Sequence, residues 1–456
     1  MIRGIRHRPL VVLVVLGLIA LLCLPAAAST TAGALHFSNT PLLRPEGGSE
    51  PAITIGANGK MVMTSLQWLF DPTFFGTHVW KGSFGSTPGF KGLVDAGLQH
   101  PAKTVFGSGD ADVDLGSTGT LHFTSLVFLV NKPGQSATFG VSAITCPNAD
   151  TSNNFANCTK KIIDTAGADR PWITSDGKHV WISYHDAGNS SLIHVQRSDD
   201  DGITWHKVGD PIVGQDGATG DATFNNDQVP IVADPTTHDL FDIYAAGEPS
   251  IQKGTTANFN NIFVSRSRDL GSTWRAVQVF HAPLNTALNN VFPALAVDPV
   301  TGRLYAAWSD AHDVMFSVSS DHGRTWSAAV TVNIAPAATA LFPWLAAYGG
   351  TVDLVYYGTT GSSKDDTTAV WNTYLAQTTN GGASFTQSRV SNTSNHTGVI
   401  CTEGIACAEG TRNLLDLFEV AIDPLNGKAA VIYVDDTLTK DSDGNPLPQV
   451  VLAQQT

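Results

Sequence analysis

The sequence predicts an all-β fold, a β-propeller of four-stranded blades, and three observations carry that reading. An eight-residue pattern, Ser-x-Asp-x-Gly-x-Thr-Trp, runs from Ser198 to Trp205, from Ser267 to Trp274 and from Ser319 to Trp326, with a softened copy from Thr378 to Phe385. A second repeat consists of a short apolar strand, a turn rich in Gly, Asp or Pro, and an alternating apolar strand, as in "RPWITSDGKHVWISYHD" and "FPALAVDPVTGRLYAAWSD". Its copies open at Pro51, Ala111, Pro171, Pro230, Pro293, Pro343 and Glu419, at intervals of 60, 60, 59, 63, 50 and 76 residues. A period of about 60 residues holding four strands is one blade around a central channel. Seven blades are favoured. Six is the alternative, because the second copy, "ADVDLGSTGTLHFTSLVF", is weak.

Taken in order, the first 28 residues carry Arg3, Arg6 and Arg8, an apolar run from Pro9 to Leu24, and Ala26-Ala27-Ala28. That is the pattern of an export signal cleaved before Ser29, leaving residues 29–456 as a single propeller domain. Cys23 invites a lipid anchor, but Leu22 fills the position where a small residue would be needed. "ALHFSNTPLL" (Ala34 to Leu43) then precedes the first blade, and the chain ends in "PQVVLAQQT", which reads as a third strand without a fourth. Pairing the two would close the ring and remove two exposed strand edges. The Ser-x-Asp pattern follows each third strand, so it forms the hairpin turn between the outer strands. Gly supplies positive φ there, the hydroxyl and carboxylate bond amides the turn leaves unpaired, and Trp packs back onto the sheet.

The formal charge is −14, and becomes −17 once the three leader arginines are removed. An acidic surface argues against nucleic acid and anionic membranes as partners. No later apolar run is long enough to span a bilayer, so a secreted or periplasmic monomer is expected, without membrane insertion after signal removal. The mature cysteines fall into close pairs, Cys146 with Cys158 and Cys401 with Cys407, each expected to close its own loop in an oxidising compartment.

The repeated turns resemble Asp-boxes, or bacterial neuraminidase repeats, and the mature chain resembles the sialidase-like β-propellers. The resemblance implies a propeller with the boxes on the face opposite the binding mouth, and an exo-sialidase type of glycosidase if the chain is active. In that family an arginine triad grips the substrate carboxylate, a Tyr activated by a Glu is the nucleophile, and an Asp serves as acid/base. Matched to the family motifs, the positions are Arg44 and Arg412 for the triad, Asp71 for the acid/base, Glu248 for the glutamate and Tyr433 for the nucleophile. The second family arginine is missing from the strands that lead into the boxes, which begin Leu192-Ile193, Asn260-Asn261 and Val314-Met315. Arg170, from another blade, is the candidate replacement.

Read without the family, the loops that lead into first strands and those joining second to third strands share one face. That mouth gathers acids and aromatics, including Asp110, Asp169, Arg170, Asp416 and Tyr433. Aromatic faces and polar forks suit a neutral carbohydrate; clustered carboxylates suit a cation. Asp110-x-Asp112-x-Asp114 with Gly116 resembles a calcium loop, but Leu121 stands where the bidentate Glu would be, so calcium is an option and no cofactor is required. No zinc, thiol-nucleophile, phosphate-loop or Ser/His/Asp spacing stands out. Two functions fit: a glycan-directed propeller, or a non-catalytic propeller that recognises a protein or cation partner.

Overall fold

The computed structural model describes residues 26–27, 29–33, 35–67, 76–131, 138–149, 155, 157–186, 192–212, 226–247, 259–284, 286–288 and 290–456. Seven antiparallel four-stranded sheets follow one another around a channel. Their innermost strands are Ser49–Ile55, Thr104–Leu115, Ala168–Asp176, Asn226–Asp234, Ala294–Val297, Thr339–Tyr348 and Glu419–Ile422. The weak second copy is a full blade, with strands Thr104–Leu115, Leu121–Val130, Thr138–Cys146 and Thr159–Asp164, which excludes the six-bladed alternative.

Closure follows the expected route. Phe37–Pro41 pairs antiparallel with the C-terminal strand Pro446–Gln455 and completes blade 7. The chain just before it adds something the sequence did not announce. Ser29–Ala32 lies parallel to Ser384–Gln387 as a fifth strand of blade 6, and Ala26–Ala27 pairs with Val330–Thr331 of blade 5. The rest of the expected leader lies outside the described residues. Both disulfides, Cys146–Cys158 and Cys401–Cys407, are formed, and among the described residues no helix is long and apolar enough to cross a membrane.

The repeated turn sits between third and fourth strands and works as its residues dictate. In blade 5, Asp321 Oδ1 accepts the amides of Arg324 and Thr325 at 3.1 and 2.9 Å, while Oδ2 accepts the Thr325 hydroxyl at 2.7 Å. Ser319 Oγ accepts the Gly323 amide at 2.9 Å. Gly382 shows why the glycine is needed: its φ is +87°, and a Cβ there would lie 2.4 Å from the Phe316 ring of the preceding blade.

Side-chain acceptors on one blade take backbone donors from its neighbour and tie the inner strands together. Glu419 Oε2 accepts from Ile53 N at 2.8 Å, Thr54 Oγ1 from Leu115 N at 3.1 Å, Asp112 Oδ2 from Ile173 N at 2.8 Å, and Thr174 Oγ1 from Ala233 N at 3.3 Å. Asp298 accepts from the amides of Gly349 and Gly350 at 3.0 and 2.7 Å. The channel is filled midway by aromatic rings, with Trp172 stacked on Trp344 at 5.2 Å and edge-on to Phe292 at 6.1 Å.

Three of the inner strands begin with a distortion that shapes the mouth. The pairing of the first two strands skips Glu50-Pro51, Arg170-Pro171 and Phe342-Pro343, and the residues before those prolines take φ of +44°, +50° and +56°. Left-handed backbone at a non-glycine residue costs on the order of 1 kcal/mol and persists only where surrounding packing enforces it. At each of these three places the bulge re-aims one residue.

Two outcomes are expected. Asp321→Ala leaves two amides and two hydroxyls without their acceptor and should cost about 2 kcal/mol in urea unfolding, while a loss under about 0.5 kcal/mol would mean that water replaces the carboxylate. Burial raises Asp112 to about 7, against the pull of the Ile173 and Val113 amides, with Asp114 adding to the rise. A folded pKa above the unfolded one gives stability that is complete below 3.8 and lost as pH rises to about 7. Asp112→Asn, which keeps an acceptor and cannot ionise, should flatten that segment of the stability–pH curve.

Candidate functional site

The re-aimed residues of blades 1 and 3 meet the loop that leads into blade 7. Arg170 Nη2 donates to Asp416 Oδ2, and Arg412 grips the same carboxylate from the side, with Nη2 on Oδ2 and Nε on Oδ1 at 3.1 Å. Glu50 Oε1 lies 3.8 Å from Arg170 Nη1, and the Arg170 guanidinium sits 4.5 Å from the centre of the Phe292 ring. Asp110 and Asp169 complete the electrostatic surroundings of Arg170.

Local structure fixes each participant. Arg412 and Asp416 lie at the end of the loop that the Cys401–Cys407 disulfide constrains, and Cys401 N donates to Thr411 O at 2.8 Å. Leu415 N closes a turn onto Arg412 O at 3.0 Å with Leu415 at φ +51°, which carries Asp416 inward to 2% exposure. The Arg170 and Arg412 side chains keep 17% and 11% exposure, more than the carboxylate between them, while Arg170 Nη1 itself is buried.

The cluster separates its acids into distinct roles. Burial alone would raise Asp416, but the two guanidiniums outweigh burial and hold it below the ordinary carboxylate range. Glu50, 1% exposed, is driven well above its ordinary value by burial and by Asp110 and Asp416, with Arg170 opposing. Neither Glu50 carboxyl oxygen has a hydrogen-bond partner among the described residues, so no hydrogen bond offsets the burial that favours its neutral form. Asp169 is raised to about 6, mainly by burial, against Arg170. Environments that push neighbouring carboxyls apart in this way divide acid from base.

The other sequence candidates lie elsewhere. Arg44 bonds Glu46 Oε1 at 3.2 and 3.0 Å and covers the Phe90 ring on the outermost strand of blade 1 at 3.8 Å, so it does not join Arg170 and Arg412. Tyr433 is 1% exposed in the core, donating to Asn39 Oδ1 on the closing strand at 2.6 Å, and burial pushes its phenol up. Asp71 and Glu248 lie outside the described residues. Asp110, Asp112 and Asp114 do not form a loop, because all three belong to the inner strand Thr104–Leu115, where Asp112 and Asp114 accept from Ile173 N and Ser175 Oγ of the next blade. Among the described residues no group of three or more His, Cys, Asp or Glu is placed to hold a metal ion.

Sequence reasoning missed two features. Glu50 had a legible signal, because it stands before Pro51 as Arg170 stands before Pro171. The line of Ser65 Oγ, His78 Nδ1 at 3.2 Å, and His78 Nε2 to Glu46 Oε1 at 2.8 Å had none, being assembled from two strands and a linker. Ser65 and His78 are both fully buried, so this arrangement is a satisfied core network rather than a nucleophile. At the far end of the channel a cavity of about 610 Å³ is lined by Thr54, Asp114, Thr174, Glu419 and Tyr348. Its acids are among those that tie the blades together.

No protein-family model matches the sequence, and no curated protein matches it. The architecture is a propeller, as the resemblance to the sialidase-like propellers implies. Among solved structures, a protein of unknown function from Dyadobacter fermentans shares 15% identity over 71% of this chain and 94% of its own, with a TM-score of 0.47. An α-L-arabinofuranosidase from Fusarium graminearum shares 14% identity over 72% and 93%, with a TM-score of 0.46. An intramolecular trans-sialidase from Ruminococcus gnavus shares 11% identity over 88% and 93%, with a TM-score of 0.42. Likenesses at this level carry no argument about chemistry.

Arg170→Met should cost about 3 kcal/mol in chemical unfolding, because it leaves Asp416 buried with one guanidinium instead of two. Arg44→Met, at a pair that is partly exposed, should cost less than about 1 kcal/mol. Equal losses would mean that the mouth cluster is no more strongly coupled than a rim pair.

Proposed function

We propose that this chain is an exported propeller whose mouth takes a glycan and cleaves it as a glycoside hydrolase. The observation that supports this most is the buried Glu50 carboxyl, driven toward its neutral form, with the half-buried Asp110 and Asp169 near the same Arg170 guanidinium. Glycoside hydrolysis needs a carboxylic acid to protonate the departing oxygen and a carboxylate to attack carbon or activate water. Glu50, driven toward its neutral form by burial, supplies the acid. Asp169, ionised above about pH 6, supplies the base. The two formed disulfides support an oxidising, extracytoplasmic location.

A second reading is a recognition propeller that binds a glycan, protein or cation without turnover. It is favoured by the placement of Arg44 and Tyr433 away from the cluster, since the exo-sialidase chemistry that the resemblance implies would need them there.

Release of 4-methylumbelliferone from a panel of uncharged aryl glycosides and the α-sialoside decides between these readings. Hydrolysis is expected on an uncharged glycoside, with Glu50→Gln and Asp110→Asn each lowering kcat about 10²- to 10⁴-fold. Its acid limb should fall near pH 6, because Asp169 must lose its proton to act as base. Rates indistinguishable between the chain and both variants across the panel would leave binding without catalysis.

A further inference from the structure

If the mouth is a carbohydrate site, the way its arginines are occupied sets which sugars it accepts. Two guanidiniums converge on one point, and that point is already filled by a carboxylate of the chain itself. Arg412 holds Asp416 side-on through Nε and Nη2, and Arg170 Nη2 approaches Oδ2 from the opposite blade. This forked grip is the one guanidinium groups use on a ligand carboxylate. Asp416 is 2% exposed, while both arginine side chains remain partly exposed. Around Arg170 stand Glu50, Asp110 and Asp169 as well, so four acidic side chains face two guanidiniums.

We propose that Asp416 is a specificity-determining residue: an internal carboxylate occupying the place that a sugar acid's carboxylate would take between Arg170 and Arg412. The mouth then selects uncharged sugars and turns away sialic and uronic acids. An arriving anion finds both guanidiniums already paired with Asp416 and meets the acidic side chains of Asp110 and Asp169 around Arg170, a repulsive element that discriminates as effectively as an attractive one. The loop geometry shows how the residue is held in place. The turn from Arg412 to Leu415, with Leu415 at φ +51°, and the Cys401–Cys407 disulfide bring Asp416 under the guanidiniums of its own loop and of blade 3. Removing the carboxylate leaves both guanidiniums where they are and opens a carboxylate-shaped vacancy.

The inference rests on the carbohydrate reading for its substrate class, but its geometric core can be tested without any sugar. Thermal unfolding of the mature chain and of Asp416→Ala and Asp416→Asn is followed in sodium acetate and in sodium chloride of equal ionic strength. Acetate should raise the Tm of Asp416→Ala saturably by several degrees, leave the parent unchanged, and act weakly on Asp416→Asn, whose amide still fills the space. Calorimetry with glucuronic acid and glucose should then show the parent binding glucose more tightly than glucuronic acid. Asp416→Ala should bind glucuronic acid at least tenfold more tightly than the parent does, with an affinity that falls as salt rises. A folded Asp416→Ala that acetate does not stabilise overturns the inference, as does a parent that binds glucuronic acid more tightly than glucose. Acetate rescue with no sugar bound by any form upholds the occupied anion position and removes the carbohydrate reading instead. Should Asp416→Ala not fold in either salt, the same acetate series on Asp416→Asn and the parent's ranking of the two sugars decide.

Discussion

The pairing of Phe37–Pro41 with Pro446–Gln455 is the constraint on which the rest of the structure depends. Six blades are completed by strands close together in sequence; the seventh needs a strand from the other end of the chain. Without that pairing the C-terminal strand would present an open edge, and blades 1 and 7 would have no enforced contact. The channel bonds between Glu419 and Ile53, and the packing of Leu42 with Ala430 and Ile432, depend on it. The mouth depends on it too. Arg170 enters from blade 3, Glu50 from blade 1, and Arg412 with Asp416 from the loop into blade 7, so only a closed ring brings them together.

Inside that ring, the same bulge serves two ends. Skipping two residues at the start of an inner strand leaves one side chain out of the alternating pattern and points it at the channel mouth. At Phe342 the redirected residue supplies aromatic packing against Tyr357. At Glu50 and Arg170 it supplies charge. The strain at these positions is therefore carried by a scaffold whose other residues sit in ordinary strands, the usual division between a rigid fold and the site built on it.

Much of the fold could be read in the sequence because its signals are local. A four-residue spacing between Asp321 and Thr325 closes a turn by itself, and the alternation of Leu304 to Trp308 defines a buried strand whatever lies beside it. The second blade was weak in sequence because Gly107, Gly109 and the acids Asp110, Asp112 and Asp114 interrupt its apolar pattern. Asp112 and Asp114 are ties to the next blade rather than parts of a loop, and Asp110 lies near Arg170. The parallel course of Ser29–Ala32 on blade 6 left no sequence mark, since four small residues carry no pattern of their own.

For the site, residue types were legible and their partners were not. Arg170, Arg412 and Asp110 stood out as charged residues at strand starts, and Arg44 and Tyr433 looked equally good by position. The sequence by itself determined the repeating blade, the turn chemistry and the closing strand, because each follows from spacing along one stretch of chain. Only the tertiary structure decided that Arg44 serves Glu46 and Phe90, that Tyr433 lies in the core against Asn39, and that Asp416 sits between two guanidiniums. Charge pairing and proton affinity depend on distances of a few ångströms between residues hundreds of positions apart, and those distances exist only once the ring is closed.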